Sequence, residues 1–275
     1  MGLRVNSNIS SLNSQRYLSQ VTDRLNSNFQ RLASGLRIAS ASDDPAGLGI
    51  SERMRAQVRS LGQAARNGQD GVSLVQTAEG ALNEVNSNLI RMRELAIAAA
   101  NGTYSTADRS TLDAEFQLLI EEIDRISGST QFNGVNVLSS SAGTVAIQIG
   151  TESGDTVDIG LVDSSSSALG LSGATFDLTT VTNATGLLDT LDTAVDALVT
   201  TRGNLGAAQN RLQSAIRSIQ NAQEKLAAAE SRIRDVDVAA ETADLTRNSI
   251  VQQAAVSVLA QANLQPQIAL SLLQG

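Results

Sequence analysis

The sequence predicts a mainly α protein: an elongated rod of long coiled-coil helices with a small β-hairpin, whose terminal helices pair into an inner coiled coil. In residues 191–233 an apolar residue recurs at every seventh position, and a second, mostly small-residue row follows three positions later. This double row is a coiled-coil seam, and such a helix would be roughly 65 Å long. Apolar stripes at both chain ends and only four Phe and two Tyr residues also favour helix packing over a bulky globular core. The seam residues of this row include Leu205, Leu212, Ile219, Leu226 and Ile233.

The first predicted helix covers residues 5–36, where apolar side chains recur three or four positions apart. A spacing near 3.6 residues places them on one face of a helix, and Gly35 provides a stop signal. We expect this face to be a packing surface. Its residues are Leu18, Val21, Leu25, Phe29 and Leu32.

Two further helices are predicted at about 45–100 and 104–127. The acids before Pro45 suit the positive end of a helix, and proline is allowed in its first turn. Val75, Leu82 and Leu89 are seven residues apart and form a second rod seam, which Asn101-Gly102 ends. Apolar residues then step by four and three up to Gly128, where the next helix is expected to close.

The rest of the chain divides into a Ser/Thr/Gly-rich stretch and two more helices. Apolar alternation on both sides of residues 152–155 predicts a β-hairpin, with loops, within about 139–180. The heptad helix follows at about 187–235, and a polar interval at 235–244 separates it from an uncharged tail helix. We expect the tail stripe to pair with the first helix. Its residues are Val251, Ala255, Val258 and Ala262.

Composition excludes most kinds of catalytic site. The chain has no His and no Cys, so it lacks Ser-His and Cys-His nucleophiles and the usual zinc ligands. We therefore expect no enzyme, with an enzyme that uses only carboxylates left as the open alternative, and we expect no metal and no cofactor. The acidic balance of −8 disfavours nucleic acid, and the Gln- and Asn-rich tail disfavours a membrane span. Arg4 is followed by Asn6, Ser7, Asn8 and Ser10 and not by a continuous apolar run, so no cleaved signal peptide is expected.

Three segments resemble the bacterial flagellins. The amino-terminal one is 31–51 (RLASGLRIASASDDPAGLGIS), and the carboxy-terminal one is 251–267 (VQQAAVSVLAQANLQPQ) with 268–273. QFNG at 131–134 is the third. The resemblance implies a layered subunit: 1–44 as an inner helix with a connecting spoke, 45–235 as a rod domain, and 236–275 as a second spoke and inner helix. The centre is short, which implies no outer variable domain.

Further expectations follow from that resemblance. The chain is expected to polymerise head to tail, with identical or sibling flagellins, into the flagellar filament that propels swimming cells. It would be extracellular, exported by the flagellar secretion apparatus with a chaperone on its carboxy-terminal helix, and would meet filament cap and hook-associated proteins. A hook-filament junction protein remains an alternative, because it would share the terminal helices. A protease inserted in the centre is a remote option, since the chain has neither the length nor the histidines for it.

Some flagellins are sensed by a vertebrate innate immune receptor through the rod surface. Residues 90–97 (IRMRELAI) resemble the segment involved. The matching positions are Arg91, Leu95 and Glu115. The alternative interpretation is that Arg91 and Glu115 are solvated rod residues and that Leu95 belongs to the seam.

Overall fold

The structure is a computed structural model that describes residues 7–141, 143–172 and 176–273, with side chains described up to residue 265. The chain forms two compact units. Unit 1 comprises residues 1–56 and 225–275, and unit 2 comprises residues 57–224. The described elements are mainly helices, as predicted, with two short antiparallel strand pairs.

Unit 1 is built on helices α1 (Ile9–Ser34) and α5 (Val238–Leu273). The side chain of Asn8 caps the start of α1, and Gly35 ends it in the left-handed conformation with φ of 71°, where glycine carries no Cβ penalty. The predicted stop at Gly35 is therefore confirmed. Helix α5 begins at Val238, inside the interval predicted to be polar, because the Asp237 side chain accepts the amides of Ala239 and Ala240 and caps the helix.

Three further helices are α2 (Pro45–Ala99), α3 (Thr106–Ser129) and α4 (Val181–Arg234). Helix α2 agrees with its predicted bounds. Helix α3 starts at a capping box formed by Ser105 and Asp108, and it runs through Gly128, which was wrongly predicted to close it. Helix α4 starts six residues earlier than 187, because the Thr180 hydroxyl accepts the amide of Asn183 and Gly186 is tolerated inside the helix.

The strands form two hairpins in unit 2. Strands β3 (Thr144–Gln148) and β4 (Thr156–Gly160) pair antiparallel, which confirms the predicted hairpin. Strands β1 (Gln131–Phe132) and β2 (Val135–Asn136) form a second hairpin that was not predicted. Asn133 and Gly134 turn it with positive φ of 49° and 81°, the conformation for which an Asn-Gly pair is the usual sequence.

The core of unit 2 is the seam between α2, α3, α4 and β4. On α2 the predicted row of Val75, Leu82 and Leu89 is fully enclosed, and on α4 the row is buried as far as Ile219. Leu226 and Ile233, the last members of that row, are half-buried and belong to unit 1. A Cβ added at Gly71 would lie 3.1 Å from Ile147 and 3.2 Å from Leu212, so this glycine permits close packing of the hairpin and α4 on α2.

Among the helices of the described residues, none combines the length and apolar character needed to cross a bilayer.

Candidate subunit interface

Helices α1 and α5 form an antiparallel pair in unit 1. Asn8 near the start of α1 bonds to Ala262 near the end of α5, whereas Asn28 near the end of α1 bonds to Asn248. The facing residues of α1 step by three and four, the spacing of a coiled-coil seam. On α1 they are Ser11, Ser14, Leu18, Val21, Leu25, Asn28 and Leu32, and on α5 they are Glu241, Asn248, Gln252, Ala255, Leu259 and Ala262.

This seam is unusually polar for a coiled coil. The Ser11 hydroxyl donates to Asn263 at 2.7 Å, and the Asn8 amide donates to the carbonyl oxygen of Ala262 at 2.7 Å. At the other end of the pair, the Asn28 side-chain amide donates to Glu241 at 2.7 Å and accepts from Asn248 at 3.2 Å. Such bonds contribute about 1 kcal/mol each net, but they fix register because a shifted pair would leave buried polar groups without partners.

The structure divides the predicted inner-core residues into two sets. Leu18, Val21, Leu25, Leu32, Ala255 and Ala262 lie in the seam, either buried or half-buried. Phe29, Val251 and Val258 are exposed instead. The predicted stripes followed apolar residues at a 3.6-residue period, whereas the seam follows 3.5 residues and admits polar members. Sequence reasoning missed Asn28, Glu241 and Asn248 for that reason.

Replacing Asn28 with alanine should destabilise the α1–α5 pair by about 1–3 kcal/mol, because the buried Glu241 carboxylate loses a hydrogen-bond donor. Amide hydrogen exchange of α1 and α5 measures this loss. Asn26→Ala, on the exposed face of the same helix, is the control. Equal protection in both variants would show that the polar contacts add nothing to the pairing.

Both helices carry exposed large apolar side chains outside the seam, and we call these side chains together the terminal face. A groove of about 380 Å³ opens on it, lined by Tyr17 and Val21 of α1 and by Val251, Ala255 and Val258 of α5. Exposed apolar side chains that line a groove mark a candidate interaction site. The residues of the terminal face are Ile9, Leu12, Tyr17, Phe29, Ile250, Val251, Val256, Val258 and Leu264.

The connection from α1 to α2 is held in place within unit 1. Leu36 and Asp235 form an antiparallel bridge, and the Arg37 amide donates to the carbonyl oxygen of Arg234 at 2.7 Å. The Arg37 guanidinium donates to the carbonyl oxygen of Ile233 at 2.6 Å. At the start of α2, the Asp44 carboxylate caps the amides of residues 46 and 47. The motif at 31–51 thus encodes a defined non-helical connection followed by a helix start.

Asp43 organises the middle of this connection. Its carboxylate accepts the amide of Ser40 at 3.0 Å, the Ser40 hydroxyl at 3.0 Å and the amide of Ala39 at 3.2 Å. These bonds, that of the Ser40 amide above all, hold the pKa of Asp43 below its ordinary value of 3.8.

Acid should therefore loosen the connection. Because the pKa of Asp43 is lowered by folding, its stabilisation is complete above pH 3.8 and is lost as the pH falls below that value towards the folded pKa. Hydrogen exchange of residues 36–44 across this range should reveal the loss. In Asp43→Asn the same amides should be less protected at neutral pH and should respond less to acid. An unchanged acid response in that variant would contradict the assignment to Asp43.

The candidate receptor residues lie in unit 2. Arg91 donates to Glu115 and to Glu94, each at 2.9 Å, and these bonds raise the pKa of Arg91, with Glu115 the largest cause. Leu95 is only 2% exposed, in the core of the unit. This burial agrees with the alternative interpretation, in which Leu95 belongs to the seam, whereas the side chains of Arg91 and Glu115 are exposed.

A metal site finds no support in the part of the chain that the structure describes. No three carboxylates come together there as a possible cation site. Asp192, one of the acids on α4, is instead paired with Arg93 at 2.7 Å, and this hydrogen bond lowers the pKa of Asp192.

Comparisons with known proteins agree with this architecture. The family model "Bacterial flagellin N-terminal helical region" matches residues 5–143, and "Bacterial flagellin C-terminal helical region" matches residues 188–273. A flagellin of Halalkalibacterium halodurans is 47% identical over 98% of this chain and 99% of its own length. A flagellar filament 30.7 kDa core protein of Treponema maltophilum is 41% identical over 98% of this chain and 99% of its own.

A solved structure is similar as well. The crystal structure of Bacillus cereus flagellin is 35% identical, with a TM-score of 0.51 over 56% of this chain and 88% of that one. The two family models together cover most of the sequence, and full-length relatives exceed 40% identity. This chain therefore belongs to the bacterial flagellin family.

Proposed function

We propose that this chain polymerises head to tail with identical or sibling subunits, through the terminal face, into the bacterial flagellar filament. Its function as a filament subunit follows from the family, which is one of structural proteins rather than enzymes. The main support for this assembly surface is the set of apolar side chains that the α1–α5 pair leaves exposed to solvent.

Energetics favour burial of the terminal face by other subunits. Each large apolar side chain contributes about 1.5–3 kcal/mol when it moves from water into a packed interior. The face carries several such residues on each helix. A contact that joins different surfaces of identical subunits and does not close on itself produces an open helical polymer. Terminal faces packed along a common axis would therefore form the inside of a tube.

Seeded growth tests this proposal. Purified monomer is added to sheared flagellar filaments of the source bacterium, and lengths are measured by negative-stain electron microscopy. Long extensions in bulk are expected. Failure of the wild-type monomer to elongate seeds would overturn the proposal and favour a hook-filament junction protein, which has no need to propagate a lattice. That alternative is not better supported, since the full-length relatives above are a flagellin and a filament core protein.

The domain layering is part of the same proposal. Residues 1–44 and 236–275 would form the inner layer and its spokes, and residues 45–235 the rod layer, with no outer variable domain. The pairing of α1 with α5 and the bridge between Leu36 and Asp235 support the inner boundary. Limited proteolysis of the monomer should remove the inner layer and leave a rod fragment; cleavage first within 45–235 would count against these boundaries.

The partners at either end of the export and assembly route are also proposals. The subunit would leave the cell through the flagellar secretion apparatus without a cleaved signal, with a chaperone on α5, and would then meet filament cap and hook-associated proteins. The apolar residues exposed on α5, among them Ile250 and Leu264, are the kind of surface that a chaperone covers before assembly. Co-purification of a chaperone with the wild-type chain but not with a chain lacking 248–275 would support this role.

Recognition by a vertebrate innate receptor would use the Arg91–Glu115 pair. Both side chains are exposed on unit 2 and hold each other in one geometry. Arg91→Ala should weaken receptor signalling if the wild type signals, with Arg125→Ala, at another exposed arginine, as the control. Unchanged signalling in Arg91→Ala would show that the receptor site implied by the family resemblance does not apply to this chain.

A further inference from the structure

Asn101 and Gly102 lie in the turn that follows α2, and both are exposed. An asparagine followed by glycine can lose ammonia spontaneously, because the glycine amide nitrogen can attack the asparagine side-chain carbonyl without interference from a Cβ. How fast this happens depends on whether the surrounding structure stabilises the charges that develop. Two oxygens of Asn101 become negatively charged in this reaction, the backbone carbonyl oxygen and the side-chain oxygen. The turn places a hydrogen-bond donor at each of them.

The first oxygen belongs to the peptide group that must lose a proton. When the Gly102 amide is deprotonated, negative charge moves onto the carbonyl oxygen of Asn101. That oxygen accepts the Arg109 guanidinium at 3.0 Å and the Tyr104 amide at 3.4 Å. A hydrogen bond from a cation to an oxygen that is becoming anionic is among the stronger hydrogen bonds in proteins. The contact with Arg109 therefore favours the reactive form of the Gly102 nitrogen.

The second oxygen is on the side chain under attack. The side-chain oxygen Oδ1 of Asn101 accepts the amide of Thr103 at 3.1 Å. When the Gly102 nitrogen adds to the adjacent carbon, this oxygen carries the negative charge of the tetrahedral intermediate. A backbone amide already directed at it acts as the donor of an oxyanion hole does.

Arg109 is fixed in this position by the fold. It is only 9% exposed, and its Nε donates to the carbonyl oxygen of Ala99 at 2.8 Å, which satisfies the end of α2. Its role as a helix cap explains why it is buried, and the same geometry places its Nη2 on the carbonyl oxygen of Asn101.

The chain contains two other Asn-Gly pairs, which serve as internal references. Asn67 lies inside α2, where the amide of the following glycine is occupied by helical hydrogen bonding and the asparagine side chain bonds to Gln63 and to the carbonyl oxygen of Gln148. Asn133 lies in the β1–β2 turn with φ of 49°. Neither has a cation on its own carbonyl oxygen among the hydrogen bonds of the described residues.

We propose that Asn101 is a built-in site of spontaneous deamidation. The Gly102 nitrogen gives its proton to water and bonds to Cγ of Asn101. The Cγ–Nδ2 bond breaks, and ammonia leaves with a proton from solvent. Water then opens the resulting cyclic imide at either carbonyl, leaving aspartate or isoaspartate. The product adds a negative charge at the carboxy-terminal end of α2, the end of a helix that disfavours it.

The test compares the three asparagines in one sample. The full-length protein is incubated under native conditions at neutral to mildly alkaline pH, digested with trypsin and analysed by mass spectrometry. Cleavage after Arg93 and Arg109 isolates Asn101 in a peptide without any other asparagine. Deamidation at Asn101 should be about tenfold faster than at Asn67 or Asn133, a smaller effect than the hundredfold or more of a donor in an enclosed enzyme site.

Two controls separate the effect of the fold from that of the sequence. In urea the three rates should converge, because only the local sequence remains. In Arg109→Gln the rate at Asn101 should fall while that at Asn133 stays the same; circular dichroism checks that the variant is folded. If that variant does not fold, Thr103→Pro, which removes the donor to the side-chain oxygen, replaces it. A folded wild type that deamidates Asn101 no faster than Asn133, or more slowly than in urea, would overturn the proposal.

Discussion

Val251→Asp should abolish seeded elongation while leaving the monomer folded. Val251 is 43% exposed on the terminal face, so the new carboxylate remains hydrated in the isolated subunit. In the filament the same position would be enclosed by neighbouring subunits, where an unpaired charge costs several kcal/mol. Because every added subunit incurs that cost, growth should stop rather than slow slightly. Filament length by electron microscopy, with circular dichroism of the monomer, measures both parts.

Val162→Asp is the matched control. Val162 is 42% exposed in the segment after β4, so the two substitutions start from the same side chain and nearly the same exposure. Val162→Asp should elongate seeds as the wild type does. If both variants elongate normally, the terminal face is not the assembly surface. If both fail, growth depends on unit 2 as well, and the assignment to the terminal face alone is wrong.

Phe116→Ala should be the most damaging single change within unit 2, with a loss of about 3–5 kcal/mol in the free energy of unfolding. Phe116 is the largest of the fully enclosed side chains, with 0% exposure on α3. In a protein with so few aromatic residues, neighbouring aliphatic side chains are too short to fill the space it would leave. Urea unfolding followed by circular dichroism measures the change.

Leu118→Ala, two positions along the same helix, controls for helix propensity. Leu118 is 64% exposed, and alanine is at least as good a helix former as leucine, so its stability should stay within about 0.5 kcal/mol of the wild type. A loss for Phe116→Ala as small as that for Leu118→Ala would mean that α3 is not packed on α2 and α4 as the structure has it.

The heptad rows of α2 and α4 were predictable because each position carries its own signal. Val75, Leu82 and Leu89 are apolar at the seam spacing, and each is buried where the repeat places it. The β3–β4 hairpin was equally predictable, because apolar and polar residues alternate in its strands on both sides of a turn that contains Gly154. In the heptad rows and in this hairpin, the residues that form the local sequence pattern are also the ones that pack against other elements.

The α1–α5 pairing and most of its apolar seam residues were predictable, but its polar contacts were not. Asn28 and Glu241 lie in the seam because their side chains hydrogen-bond to each other. Neither residue is apolar, so a hydrophobic pattern in the sequence does not include them. Arg109 was missed for the same reason, since its partners are backbone carbonyls that any sequence would supply. The β1–β2 hairpin is a different kind of omission: its Asn-Gly turn was visible in the sequence but was used only as a resemblance.

The hydrogen-bonded contact between the two chain ends has a consequence for their reversibility. Water can replace each of these hydrogen bonds at a net cost of about 1 kcal/mol. Separating two helices joined by a wholly apolar seam would cost far more free energy. The polar groups can therefore return to water at small cost when the ends separate, whereas Leu18, Val21 and Leu25 would lose their burial. Under the proposed assembly, a subunit would open and close these ends while the terminal face supplies the contacts to neighbouring subunits.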